Sequence, residues 1–159
     1  MTPVETIPEG KVDAVCAEHK HRFSKAPRPS IRLIAGHGIE GDVHAGPFVK
    51  HRFLARRNPR APNFRQVHLI AAELLQALQG AGHHVERGEL GESITTAGID
   101  LETLPLDTEL RIGDGTLRLA GLRPPCVLMA IATGGGIVVP GDDIRAILPQ
   151  APRRALPAI

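Results

Sequence analysis

Tryptophan and tyrosine are absent from the 159 residues, and phenylalanine occurs four times. Stacking platforms for nucleic-acid bases are therefore scarce; only Phe48, Phe53 and Phe64 lie near the basic stretch between Val43 and Ala72. Cysteine is equally rare, with Cys16 and Cys126 alone. Two thiols cannot hold a four-thiolate iron–sulfur cluster, and no Cys-x-x-Cys or Cys-x-x-Cys-His is present. Electrons for any redox chemistry must then come from another protein. No apolar run approaches the roughly 18–20 residues of a membrane span. The first residues, Met1-Thr2-Pro3-Val4-Glu5, have neither the basic nor the apolar part of a secretory signal. These absences predict a soluble, cytoplasmic protein with reduced thiols and no membrane association. A formal charge of +2 with 23% charged residues announces neither a nucleic-acid nor a membrane protein.

What is abundant is punctuation. Fourteen prolines and seventeen glycines are spread along the whole chain, cutting it into short segments that suit a mainly β barrel. The expected organisation is one domain over 1–159, with its core at about 11–148 and a proline-rich, loosely held tail at 149–159. Strands are expected at Lys11–Val15, Ser30–Ile34 and Gln66–Ile70, with Gly36–Asp42 as a loop between the second and third. Leu74, Leu75 and Leu78 recur at helical spacing, which predicts a helix over Ala71–Gln79. Leu110 and Ile112, the turn Gly113-Asp114-Gly115, then Leu117 and Leu119 read as a β-hairpin. Val127–Ala132, Ile137–Val139 and Ile144–Leu148 read as closing strands. No internal repeat is present.

Several polar positions are candidates for chemistry. Between Val43 and Ala72 there is no acidic residue, while Lys50, Arg52, Arg56, Arg57, Arg60 and Arg65 all occur. Such a stretch faces either solvent or an anion, and Arg65, beside a strand, is the best single anion contact. Asp42 and His44 flank Val43 in a glycine-bounded loop, where polar side chains can converge on a ligand. His37, His44 and His51 lack the partners of a zinc site, and His83-His84 reads as an exposed turn. Glu89, Glu92, Thr95 and Thr96 form a segment rich in acceptors and hydroxyls. Cys126 follows Arg123-Pro124-Pro125, so two prolines stiffen its approach and a cation sits three residues away, which favours thiolate. Taken alone, a lone cysteine is more often a small buried hydrophobe, the reading given to Cys16.

The segments Gly41-Asp42-Val43-His44-Ala45-Gly46, Arg65-Gln66-Val67, Gly88-Glu89-Leu90-Gly91-Glu92-Ser93-Ile94-Thr95-Thr96 and Gly121-Leu122-Arg123-Pro124-Pro125-Cys126 together resemble the MOSC domain, named for the carboxy-terminal domain of molybdenum cofactor sulfurase. The ordered set, running over about Lys11–Leu148, is far more specific than any one motif. The resemblance implies a distorted β-barrel of the pyruvate-kinase type with one or two short helices. It implies the molybdenum cofactor (molybdopterin) as cofactor, with Cys126 as catalytic residue and metal ligand and Asp42, His44, Arg65, Glu92, Thr95 and Arg123 as cofactor-binding residues. The implied activity is reduction of N-hydroxylated compounds or bases, with an external electron-donor protein such as a ferredoxin-like reductase as partner. Two alternatives are a sulfur carrier using a Cys126 persulfide and a degenerate, non-catalytic binding module.

Two departures from the family stand out. Ser93 replaces the asparagine of the usual Gly-Glu-Asn. After Cys126 the few tens of residues that would wall one side of the groove are missing, and Val127-Leu128-Met129 follow at once. Pyridoxal phosphate, a label attached to this family through fold likeness, finds no support: none of Lys11, Lys20, Lys25 and Lys50 lies in a motif that argues for a lowered pKa.

Overall fold

The computed structural model describes residues 7–20, 23–48, 60, 62–123 and 126–159. Eleven strands and one α-helix are present in these residues: β1 (Glu9–Ala17), β2 (Ala26–Arg28), β3 (Ile31–Ile34), β4 (Gly38–Ile39), β5 (Val67–Ala71), α1 (Ala72–Gly80), β6 (Ile94–Ala97), β7 (Glu109–Ile112), β8 (Gly115–Arg123), β9 (Val127–Gly134), β10 (Gly136–Val138) and β11 (Asp143–Ile147). A single 3-10 turn, Leu101–Thr103, follows β6. No helix among these residues is long and apolar enough to cross a membrane.

Seven strands close on themselves in the order β11-β7-β8-β9-β5-β6-β1, with β1 pairing back onto β11. Closure removes the unpaired edges an open sheet would carry. β2 hangs on β1 outside the ring, and β10-β3-β4 form a small second sheet. Every pairing among the barrel strands is antiparallel except β5–β6. That parallel pair needs a crossover, which α1 begins. Register breaks between Val12 and Ala14 in β1 and between Leu119 and Gly121 in β8 add local bend.

Alternation along each strand fills the interior: Val12 and Val15, Leu69, Ile94, Leu110 and Ile112, Leu117 and Leu119, Leu128 and Ile144 are all buried in one cluster. The hairpin β7–β8 turns through Gly113-Asp114, with Ile112 opposite Gly115, as its sequence predicts. β5 is covered on both faces. Val67 and Leu69 look inward, while Ile70 joins Leu75, Val127 and Met129 in a second cluster on the outer side. The register Leu69↔Ile94, Ile70↔Thr95 places Thr95 on that outer face and Thr96 inside.

Three expectations change. The glycine-rich loop contains the two-residue strand β4, because Leu33 and Ile34 supply partners at Ile39 and Gly38. A short strand, β2, lies where none is read from the sequence. The tail's end is not loose: Leu122 donates its N–H to the Pro157 carbonyl, the Ile159 N–H returns to Leu122, and Ile159 packs on the outer cluster.

Candidate functional site

The polar centre of the molecule is built around a lysine. Lys25 precedes β2, and its side chain is fully buried. Its Nζ donates to Asp42 Oδ2 at 2.8 Å and to Ser93 Oγ at 2.9 Å. Asp42, equally buried, also accepts the backbone N–H of Glu18 at 3.1 Å and that of His44 at 3.2 Å. Burial opposes the Asp42 charge, but the adjacent His44 side chain, the Lys25 ammonium and the Glu18 amide outweigh it and hold the carboxyl far below its ordinary range. Burial pulls the Lys25 ammonium down, against the attraction of Asp42. Lys25 is thus the buried, pKa-lowered lysine that no sequence motif announces. With no exposed atom and two committed partners, it is placed as an internal ion-pair member rather than an accessible amine.

His44 leads from this pair to the surface. Its ring stacks on His68, with centroids 4.2 Å apart and planes inclined by 25°. Its Nδ1 is 3.7 Å from Asp42 Oδ2, just beyond hydrogen-bond length. Burial lowers the His44 pKa, as do the Lys25 and Arg123 charges, while Asp42 opposes them. His68, from β5, is pushed well below the usual histidine value by burial, then by His44, Lys25 and Arg123. Both of its ring nitrogens lack a hydrogen-bond partner, as do His44 Nδ1, both carboxyl oxygens of Glu92 and the hydroxyls of Thr95 and Thr96. Burial raises the Glu92 pKa, while the amides of Glu92, Leu90 and Gly88 and the Lys25 charge pull it back; none of those amides reaches full hydrogen-bond geometry. Each such orphan costs about 1–3 kcal/mol, so their concentration here calls for a functional explanation.

Two arginines border this group. Arg123, at the end of β8, donates to the Leu90 carbonyl at 3.4 Å. Arg65, just before β5, has its pKa lowered by burial and then by repulsion from Arg123. Two like charges held together favour an anion between or beside them. The Arg123 charge is felt at His44, His68, Arg65 and Cys126 alike, which makes it a shared neighbour of those four residues. Lys50, Arg52, Arg56, Arg57, Phe53 and His51 lie outside the described residues. Phe48 and Phe64 are exposed.

Cys126 is half-buried and faces a pocket of about 400 Å³. Ala71, Leu74, Ile99, Leu101 and Leu128 form its apolar lining, with Glu73, Asp100 and Glu102 around it. None of Asp42, His44, Arg65, Glu92, Thr95 and Arg123 lines this pocket. The expectation of a favoured thiolate changes too. Burial raises the Cys126 pKa and Glu102 adds to it; Arg123 lowers it but does not prevail. Arg123 pairs with Val127, so β8 passes to β9 with only three intervening residues, and the short connection expected after Cys126 is what the fold has. Cys16 is fully buried, its pKa pushed up to about 11 by burial, with the Glu92 charge adding to it. It is a packing thiol.

Lys25 and His68 escape the sequence reading. His68 shares a face with Gln66 and Ile70 by strand alternation, which was the available signal. Gln66 itself accepts the Ala132 N–H at 3.1 Å and so clamps β5 to β9. Gly88 holds the Lys25 segment in place: the Lys25 N–H donates to its carbonyl at 2.7 Å. Its φ is +86°, and an added Cβ would run into the Lys25 carbonyl oxygen and approach Cys16 Sγ. Gly88→Ala is expected to lose more than about 3 kcal/mol of stability, readable as a lowered midpoint in urea unfolding.

The fold is thus a closed seven-stranded β-barrel with a half-buried cysteine at the junction of β8 and β9. Residues 40–149 match the MOSC domain, and the chain belongs to that family. Its fold is similar to that of the YuaD protein from Bacillus subtilis, at 18% identity and a TM-score of 0.77, covering 91% of this chain and 99% of that one. It is also similar to YiiM from Escherichia coli, at 14% identity and a TM-score of 0.62, covering 92% and 73%. YiiM from Geobacillus stearothermophilus matches at 11% identity and a TM-score of 0.59, covering 93% and 80%. No curated protein sequence matches the chain significantly.

Proposed function

We propose that this MOSC protein binds the molybdenum cofactor and reduces N-hydroxylated small molecules or bases, taking electrons from a partner reductase of the ferredoxin-like class. The observation that carries the reading is the set of buried polar atoms without protein partners on His44, His68, Glu92 and Thr95, with Arg123 acting on both histidines and repelling Arg65. That set fits the group chemically. Arg65 and Arg123 offer charge to a phosphate, Glu92 and Thr95 offer acceptors to a donor-rich pterin edge, and Cys126 offers a soft thiolate. Among the described residues no three His, Cys, Asp or Glu side chains come together as a metal site. When bound, the group supplies two-electron oxygen-atom transfer. The protein's share is to hold it, to exclude water and to present the substrate. Because the free Cys126 thiol is raised by burial, its ligation releases a proton, and metal loading should improve as pH rises.

Protein made in a cofactor-competent host is expected to carry molybdenum and pterin in comparable amounts, and Cys126→Ala to lose at least about 10-fold in molybdenum content. Absence of both metal and pterin would overturn the reading. One observation favours a second role for the same thiol. The Cys126 pocket holds none of the residues that would face the cofactor, an arrangement that suits a sulfur carrier. Mass spectrometry of native protein would then show one added sulfur atom on Cys126.

A further inference from the structure

The apolar surface of the Cys126 pocket comes from distant parts of the chain: Leu74 from α1, Ile99 and Leu101 from the segment after β6, and Leu128 from β9. Ile99, Leu101 and Leu128 are buried, so this surface is the outer skin of packed interior and is held in place by it. Its volume of about 400 Å³ has room for one ring with a short side chain.

The charge around the pocket has one sign. Glu73, Asp100 and Glu102 line it, and no lysine, arginine or histidine does; all three carboxylates are exposed. Glu73 is already committed. It lies in the first turn of α1, where a carboxylate offsets the positive end of the helix, and its Oε1 accepts the Gly98 N–H at 2.7 Å. Asp100 precedes the 3-10 turn, yet its side chain makes no cap bond. Glu102 acts on the pocket's interior, since its charge adds to the raised pKa of the Cys126 thiol. It also borders a second depression with Arg153 and Arg154, so Asp100 and Glu102 must be considered together. An apolar chamber with carboxylates at its edge and no cation in its lining suits a guest with an apolar body and one positive charge.

We propose that the Cys126 pocket binds a small organic cation, its apolar body against Ile99, Leu101 and Leu128 and its protonated nitrogen toward Asp100 and Glu102. A guest filling the pocket touches the thiol. Because burial and Glu102 keep that thiol protonated at neutral pH, it serves as a soft apolar wall, and selection for charge belongs to the carboxylates. The site adjoins the group that the proposed function gives to the cofactor, but the inference does not rest on that reading.

Benzylamine, benzyl alcohol and phenylacetate test this, because they share one ring and are positive, neutral and negative at neutral pH. In calorimetric titrations of the full chain as isolated, benzylamine is expected to bind at least about 10-fold more tightly than phenylacetate, with benzyl alcohol between them. The preference should shrink as added salt screens the exposed carboxylates. Asp100→Asn combined with Glu102→Gln should weaken benzylamine by about 5-fold and leave benzyl alcohol unchanged; both positions are exposed, so folding is not at stake. Iodoacetamide should modify Cys126 and spare the fully buried Cys16, and after the reagent is removed the modified protein should no longer bind benzylamine. Equal affinities for the three probes, benzylamine binding weaker than about 10 mM, an unaffected double variant, or binding that survives Cys126 modification would each overturn the proposal. Protein that binds benzylamine here but never loads molybdenum would sink the proposed function and support this site.

Discussion

Lys25→Met is expected to destabilise the protein by about 3–5 kcal/mol, measured as the loss in unfolding free energy in urea. The size follows from what is left behind. Asp42 would keep a buried charge with its ammonium gone, and Ser93 Oγ would lose its donor. Asp42→Asn should cost a similar amount, and it also weakens acceptance of the Glu18 and His44 amides. The double variant Lys25→Met, Asp42→Leu should cost much less than the two single changes together, because it removes both charges at once. Additive losses would show that the two residues act independently, contrary to the 2.8 Å pair.

Stability should also fall as the pH drops below about 6.5, well before carboxylates protonate. The sign comes from His68. Its folded pKa is depressed by burial and by the His44, Lys25 and Arg123 charges, so the unfolded chain binds the proton first. Unfolding is then favoured from the unfolded histidine value downward until the folded value is reached, with a slope of about 1.4 kcal/mol per pH unit for each such group. Asp42 adds a loss only at more acid pH, because its depressed pKa gives stability that is full above the unfolded carboxyl value and wanes as pH falls toward the folded one. Glu92 works the other way: its raised pKa makes the fold take up a proton earlier, relieving a cost as the pH falls. Comparing wild type with His68→Phe across this range isolates the histidine contribution. The variant should show a shallower onset below about 6.5, the remainder coming from the depressed His44, and an unchanged profile would show that His68 contributes nothing to it.

Local patterns were legible where short-range chemistry decides the structure. The hairpin turn at Gly113-Asp114, the leucine spacing of α1 and the alternation of β7, β8 and β11 need nothing beyond neighbours in sequence. β4 was not legible, because Gly38 and Ile39 become a strand only when Leu33 and Ile34 lie beside them. The motifs around Asp42, Arg65, Glu92 and Arg123 pointed to residues that the fold does place around one polar centre. What they could not show is the organiser of that centre. Lys25 is an isolated lysine in a run that reads as surface, and its burial arises from tertiary covering by Gly88, Asp42 and Ser93. Nor could the sequence show that Cys126 lines an apolar pocket with Leu74, Ile99 and Leu101, since those neighbours come from distant parts of the chain.

The β1–β11 pairing has a kinetic consequence. It joins Lys11 to Asp143, 132 positions apart, so the ring cannot close until nearly all of the described chain has been synthesised and collapsed. Local hairpins such as β7–β8 can form in microseconds, whereas contacts of such long separation carry a large loop-closure cost and slow the final step. Until then β1 and β11 each present an unpaired edge, and the nascent chain is most prone to mispairing with a second copy while it waits for its own last strand.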